Sequence, residues 1–169
     1  MIRDGGDMGQ EAVPDWLPYY VRDHLAGARA GINAFARIAR VHNQPLVRAE
    51  LAGMHQQIQQ EYQELRAMMA ELGMRRASPT MVMAVVGELL ERLKPNGSLI
   101  KRSVGADVLE LEALISAVQA KARLWETLLA VSGTGLSLDA GKLRVLQNQA
   151  EGQRKTLIGL HAHVVGTAA

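Results

Sequence analysis

Glu61, Glu112 and His24 are the residues of this chain whose types and spacing come nearest to a reactive centre. Along the segment Val47, Leu51, Met54, Ile58, strict seven-residue stepping puts Glu61 on the inner seam of a helix. An inward carboxylate joined by Glu112 and His24 is the only non-standard set here that offers iron or manganese both oxygen and imidazole ligands. The competing reading seats Tyr62 on the seam and leaves Glu61 at the boundary, and the pattern favours it. If Glu61 does face inward, its partners are sought among Glu112, Gln153 or Arg154, and His24. An Arg–Glu or His–Glu pair that fixes helix register is then expected ahead of a metal, because a buried charge needs a partner.

Other reactive types are weaker. His24, His55 and His161 fall at different heights of their segments and read as boundary histidines. Met68, Met69, Met74, Met81 and Met83 carry thioethers that bind Cu(I). Gathered at the end of one segment and along the next connection, they read as adaptable filler or a partner surface. Nucleophilic catalysis has no support: the chain has no cysteine, and Ser132-Gly133-Thr134-Gly135 follows a helical run rather than a strand, so it reads as a linker.

The composition limits what can surround these residues. The chain has 169 residues, 48% apolar and 21% charged, enough for one domain with a proper core and too apolar for a disordered chain. Aromatic residues make up only 4%: two Trp, three Tyr and one Phe. The core must therefore be aliphatic, and stacking platforms for single-stranded nucleic acid are not expected. The absence of cysteine excludes disulfides and thiolate-held metals. The net charge is +2. Because residues 1–15 set Arg3 against Asp4, Asp7, Glu11 and Asp15, the rest of the chain is more basic than that. Without a groove-reading motif, this charge does not specify nucleic acid. The start of the chain lacks a basic-then-apolar signal pattern, and the uncharged run Thr156–Ala169 is too short to span a bilayer. A bacterial-type cytoplasmic protein is the expectation.

Residues 1–15 lack periodicity and read as a flexible tail, with Asp15 placed to cap a helix over 16–41. Its stripe is Val21, Leu25, Ala28, Ile32, Phe35 and Ala39. Gly27 and Gly31 are expected to let this helix approach a neighbour closely. A second helix over 46–73 follows the break at His42-Asn43-Gln44-Pro45 and ends at Gly73, a natural residue after a C-cap. A short apolar helix over 79–93, introduced by Ser78 and Pro79, lies inside a long connection. A third helix over 106–131 has the stripe Val108, Leu111, Ile115, Val118, Ala122, Trp125 and Leu129. A fourth over 139–165, capped by Asp139, has Leu143, Leu146, Ala150, Gln153 or Arg154, Leu157, Leu160 or His161, and Val164.

Four helices of matched length, each about 40 Å at 1.5 Å per residue, are what a four-helix bundle needs. The links at 42–45 and 132–138 are short, so each joins antiparallel neighbours. The middle connection is long enough to travel the length of the bundle, which makes the second and third helices parallel. This single-crossover layout over residues 16–166 resembles the ferritin-like superfamily. Asp23-His24-Leu25-Ala26-Gly27-Ala28, Lys94-Pro95-Asn96-Gly97 and Leu109-Glu110-Leu111-Glu112 match no motif of a characterised branch. The resemblance implies an all-α, ferritin-like bundle with one crossover containing an extra helix. It also implies that a diiron site would draw on Glu-x-x-His pairs, and none occurs. The first helix offers Asp23 and no Glu. The second offers His55-Gln56-Gln57-Ile58-Gln59-Gln60-Glu61, where neutral amides crowd the place of carboxylates.

The expected function is a non-catalytic bundle without cofactor that acts through protein–protein contacts. The helix over 79–93 is apolar on more than one side, so Met81, Val82, Val85, Val86 and Leu89 are the expected interface of a homo-oligomer or with a protein partner. The alternative is a metal-binding or oxidoreductase bundle holding iron or manganese at Glu61, Glu112 and His24.

Overall fold

Turn and cap chemistry divides the chain into its helices. The computed structural model describes residues 13–74 and 103–168. Within them lie α1 (Trp16–Val41), α2 (Pro45–Glu71), α3 (Val104–Ser132) and α4 (Ala140–Gly166), each within two residues of the range expected from periodicity. The apolar segment over 79–93, with its candidate interface residues Met81, Val82, Val85, Val86 and Leu89, lies outside the described residues, as do residues 1–12.

Pro45 opens α2 at its first position, where a missing N–H costs nothing. At the other end of α2, Gly73 takes φ +66°. Its N–H donates to the Ala70 carbonyl at 3.1 Å, and the Met74 N–H reaches back to Met69 at 2.9 Å. This is the paired closure that a left-handed residue after the C-cap permits. Ser103 and Asp139 cap α3 and α4 by accepting from Ala106 N at 3.2 Å and Lys142 N at 3.0 Å. Asp15 differs from expectation. Its backbone is already helical and its side chain makes no cap bond; instead the Leu17 N–H donates to the Pro14 carbonyl at 3.0 Å. Val13 packs against the core, so the end of the expected tail belongs to the bundle.

The helices form a four-helix bundle. α1 packs along α2, α3 along α4, α1 also on α3, and α2 more lightly on α4. Tyr20 meets Thr127 while Arg37 meets Glu110, so α1 and α3 are antiparallel. Glu64 meets Lys142 while Gln57 meets Gln153, so α2 and α4 are too. Since the three-residue link reverses α1 into α2, α2 and α3 run parallel. Among the described residues, no helix is long and apolar enough to cross a membrane.

The seams differ in detail from the expected stripes. α3 buries Leu114 and Leu128 where Ile115 and Leu129 are half-buried. It packs on two neighbours at once, so its buried arc is wider than one heptad stripe. α1 buries Leu17, Val21, Ala34, Phe35 and Ile38, with nothing buried between Val21 and Ala34. At mid-length its core-facing residues are half-buried, with Leu25 and Ile32 packed against the core.

Gly73 and Gly152 make opposite tests of this local reading. Gly73→Ala forces a Cβ into left-handed backbone and is expected to lower the unfolding free energy by about 1 kcal/mol. Gly152 is exposed within α4, where a Cβ meets nothing within 4 Å. There the same substitution is expected to raise stability by about 0.5–1 kcal/mol. Urea titration of the two variants reads both signs.

Candidate functional site

Among the described residues the core forms two apolar clusters. One gathers Leu17, Leu65, Met68, Trp125, Leu128 and Leu143, the other Phe35, Leu51, Ile58, Leu114, Leu157 and Leu160. Between them sits a polar layer built from three helices. Glu61 of α2 is 2% exposed and Gln153 of α4 4%. Lys121 of α3 donates from Nζ to Glu61 Oε2 and to Gln153 Oε1. Gln153 Nε2 in turn donates to Glu61 Oε1 at 2.8 Å and to Gln57 Oε1 at 3.0 Å. Both Glu61 oxygens are thus satisfied, which is what makes a buried carboxylate tolerable. Burial pushes the Lys121 ammonium below the ordinary lysine range, and its pairing with Glu61 pulls it back up.

The expectation that Tyr62 would hold the seam is therefore corrected: Glu61 is inside and Tyr62 is half-buried. An α-helix drifts about 20° per heptad against strict seven-residue spacing, so Glu61, two heptads past Val47, lies about 40° to one side of it and Tyr62 about 60° to the other, a small margin. Gln153, not Arg154, faces inward; Arg154 turns out and pairs with Glu151 at 2.6 Å. Lys121 had no sequence signal beyond lying one position before the seam residue Ala122. Its long stem lets the head reach across to α2.

On one side the layer opens into a cleft of about 410 Å³ walled by α1, α2 and α3. Glu61 and Lys121 form part of its wall, with Tyr20, Asp23, His24 and Trp125. Gly27, Ala28 and Gly31 supply the α1 side. At Gly31 the expected close approach does not occur: a Cβ built there meets nothing within 4 Å. Where α1 lacks side chains, space remains. His24 packs edge-on to Tyr20 with ring centroids 4.5 Å apart, and Tyr20 shares a 3.2 Å hydrogen bond with Thr127 across the cleft's end. Burial holds the His24 imidazole below the ordinary histidine range, against the pull of Asp23. The Trp125 ring is 1% exposed, and among the described residues its indole N–H has no hydrogen-bond partner.

The three metal candidates are not brought together. Glu61 and His24 share the cleft. Glu112 lies nine residues before Lys121 on α3, about 13 Å along the axis, where its side chain is 53% exposed and meets His161 Nε2 at 3.2 Å. Among the described residues, no three His, Asp or Glu side chains are grouped to hold a metal ion. The donor set at the centre is one carboxylate and two neutral amides, with an ammonium already seated on it. That set suits Lys121 and does not suit a divalent cation, which needs several anionic oxygens.

A second polar cluster, with no forewarning in the periodicity, closes the end of the bundle where α1 turns into α2. His42, Asp107 and Glu110 are all buried. Arg37 Nη1 donates to Glu110 Oε1 at 2.7 Å and Asn43 Nδ2 to Asp107 Oδ2 at 2.7 Å. Arg48 Nη1 donates to the His42 carbonyl at 2.6 Å. The cluster pins the α1–α2 link to the start of α3. The signal available was Asp107 and Glu110 three apart on an otherwise apolar face, a spacing that puts both on one side of a helix.

Comparison of the chain with family models, with curated proteins and with solved structures finds no match.

Breaking the central pair tests its role in holding the bundle. Glu61→Ala leaves a buried ammonium unpaired and is expected to cost about 3–5 kcal/mol by urea unfolding. The double variant Glu61→Met, Lys121→Met is expected to recover most of that loss; a double variant as unstable as the single would show that the pair is not the controlling contact. His24 gives a pH signature. Its folded-state pKa is lowered, so between that value and about 6.5 the unfolded chain binds more protons and stability falls as the medium is acidified. Thermal unfolding between pH about 7.5 and about 5.5 is expected to show this decline, and His24→Gln to reduce it.

Proposed function

We propose that this chain is a ferritin-like bundle with a salt-bridged centre in place of a metal, working as a non-catalytic scaffold through protein–protein contacts. The observation that carries this reading is the Lys121 ammonium lying on Glu61 and Gln153. It supplies the positive charge that a metal would otherwise bring to an inward carboxylate. The ferritin-like assignment is supported by the parallel course of α2 and α3 and by the roughly thirty residues joining them. The reading as a contact protein draws on the apolar residues Met81, Val82, Val85, Val86 and Leu89. It is also supported by Val41, Leu46, Val104 and Val165, which are 42–52% exposed at one end of the bundle. A homo-oligomer in the cytoplasm is the form proposed.

Protein purified without chelator and eluted through a sizing column with light scattering and elemental analysis tests both halves of the proposal. The expected peak has a mass above one chain and iron and manganese far below one atom per chain. Stoichiometric metal, or a mass of one chain at all concentrations, overturns it.

A further inference from the structure

A chain this poor in aromatic residues does not spread them evenly. Of its two Trp, three Tyr and one Phe, four line the cleft between α1, α2 and α3: Tyr20, Phe35, Tyr62 and Trp125. Tyr20 and Phe35 belong to α1, and between them that helix presents Gly27, Ala28 and Gly31 to the cleft; none of the α1 residues from Arg22 to Ile32 is buried. A larger side chain at Gly31 would fill the gap, since a Cβ there has open space in front of it. The volume, about 410 Å³, falls in the range of roughly 300–1,000 Å³ typical of small-molecule sites. An enclosed apolar cavity of about 150 Å³ accepts one benzene ring, so this cleft has room for a molecule of two rings.

The polar groups narrow the ligand further. Lys121 and Glu61 neutralise each other at the inner wall. Asp23 adds a carboxylate to the wall, and burial favours the uncharged form of His24. The balance inside is therefore neutral to negative and repels an anion. From the four rings among the cleft's lining residues, the open space in front of Gly31 and a charge balance that disfavours an anion, we infer that this cleft is a binding site for a small, flat, uncharged aromatic molecule.

Prodan, a neutral naphthyl ketone whose emission moves to the blue in apolar surroundings, is the probe. Titrated into the full chain, it is expected to bind saturably at one site per chain. Anilinonaphthalene sulfonate, of similar size but anionic, is expected to bind at least about tenfold more weakly. Gly31→Leu fills the cleft and removes a helical glycine, so it is expected to abolish Prodan binding with no fall in melting temperature. The absence of saturable binding, affinity unchanged in Gly31→Leu, or tighter binding of the sulfonate than of Prodan would each overturn the assignment.

Discussion

The charge of Lys121 sets the terms for the rest of this bundle. An ammonium drawn between helices loses hydration worth several kcal/mol, and only a well-placed carboxylate with further hydrogen bonds offsets that loss. Glu61 and Gln153 meet the requirement from two other helices. The three residues can meet only when α2, α3 and α4 stand at one relative height. Sliding any helix by a turn, about 5.4 Å, would strand a charge in the aliphatic core. Apolar seams of Leu, Val and Met are tolerant of such slips, since one aliphatic knob replaces another. The polar layer removes that tolerance, and the Asp107, Glu110 and His42 cluster does the same at the bundle's end.

The layer also explains why α1 is built differently from its neighbours. Three helices close the ion pair, and α1 contributes no hydrogen bond to it. At that height α1 carries glycine and alanine, so the bundle is closed at both ends of α1 and open in its middle. Val21 and Leu17 anchor one end, Phe35 and Ile38 the other. The low aromatic content acquires a location from this arrangement: four of the six rings line the space left beside the middle of α1.

The bundle was legible in the sequence because its determinants are local and periodic. The positions of Leu51, Met54, Leu143, Leu157 and Val164 repeat at helical steps, and Pro45, Gly73 and Asp139 mark ends by their backbone chemistry alone. The site was legible only in part. Glu61 and Gln153 stand at seam positions and were identifiable as alternatives to their neighbours Tyr62 and Arg154. Deciding between neighbours requires the phase of each helix relative to its partners, a tertiary quantity. Lys121 was hidden because a side chain with four methylenes can serve a position its backbone does not occupy. Gly27 and Gly31 invited the opposite conclusion, since small residues four apart permit either close contact or a gap. What separates the two outcomes is whether a neighbouring helix is free to move in, and here the ion pair holds α3 at its distance.

That last point ties the centre to the cleft. Lys121 retains 14% side-chain exposure while Glu61 retains 3%, and both face the cleft. If α1 closed onto α3, the ammonium would lose its remaining access to solvent. Gly27, Ala28 and Gly31 carry no side-chain acceptor to replace it, and Glu61, not the α1 carboxylate Asp23 on the cleft wall, is the charge that acts on Lys121. The cost of charge burial would rise. The open middle of α1 is therefore the geometry that lets a charged layer persist inside an otherwise aliphatic bundle. A Leu-rich stripe on α1 would pack better and leave the lysine worse placed. The small residues of α1 and the charge of Lys121 are best understood as one structural choice.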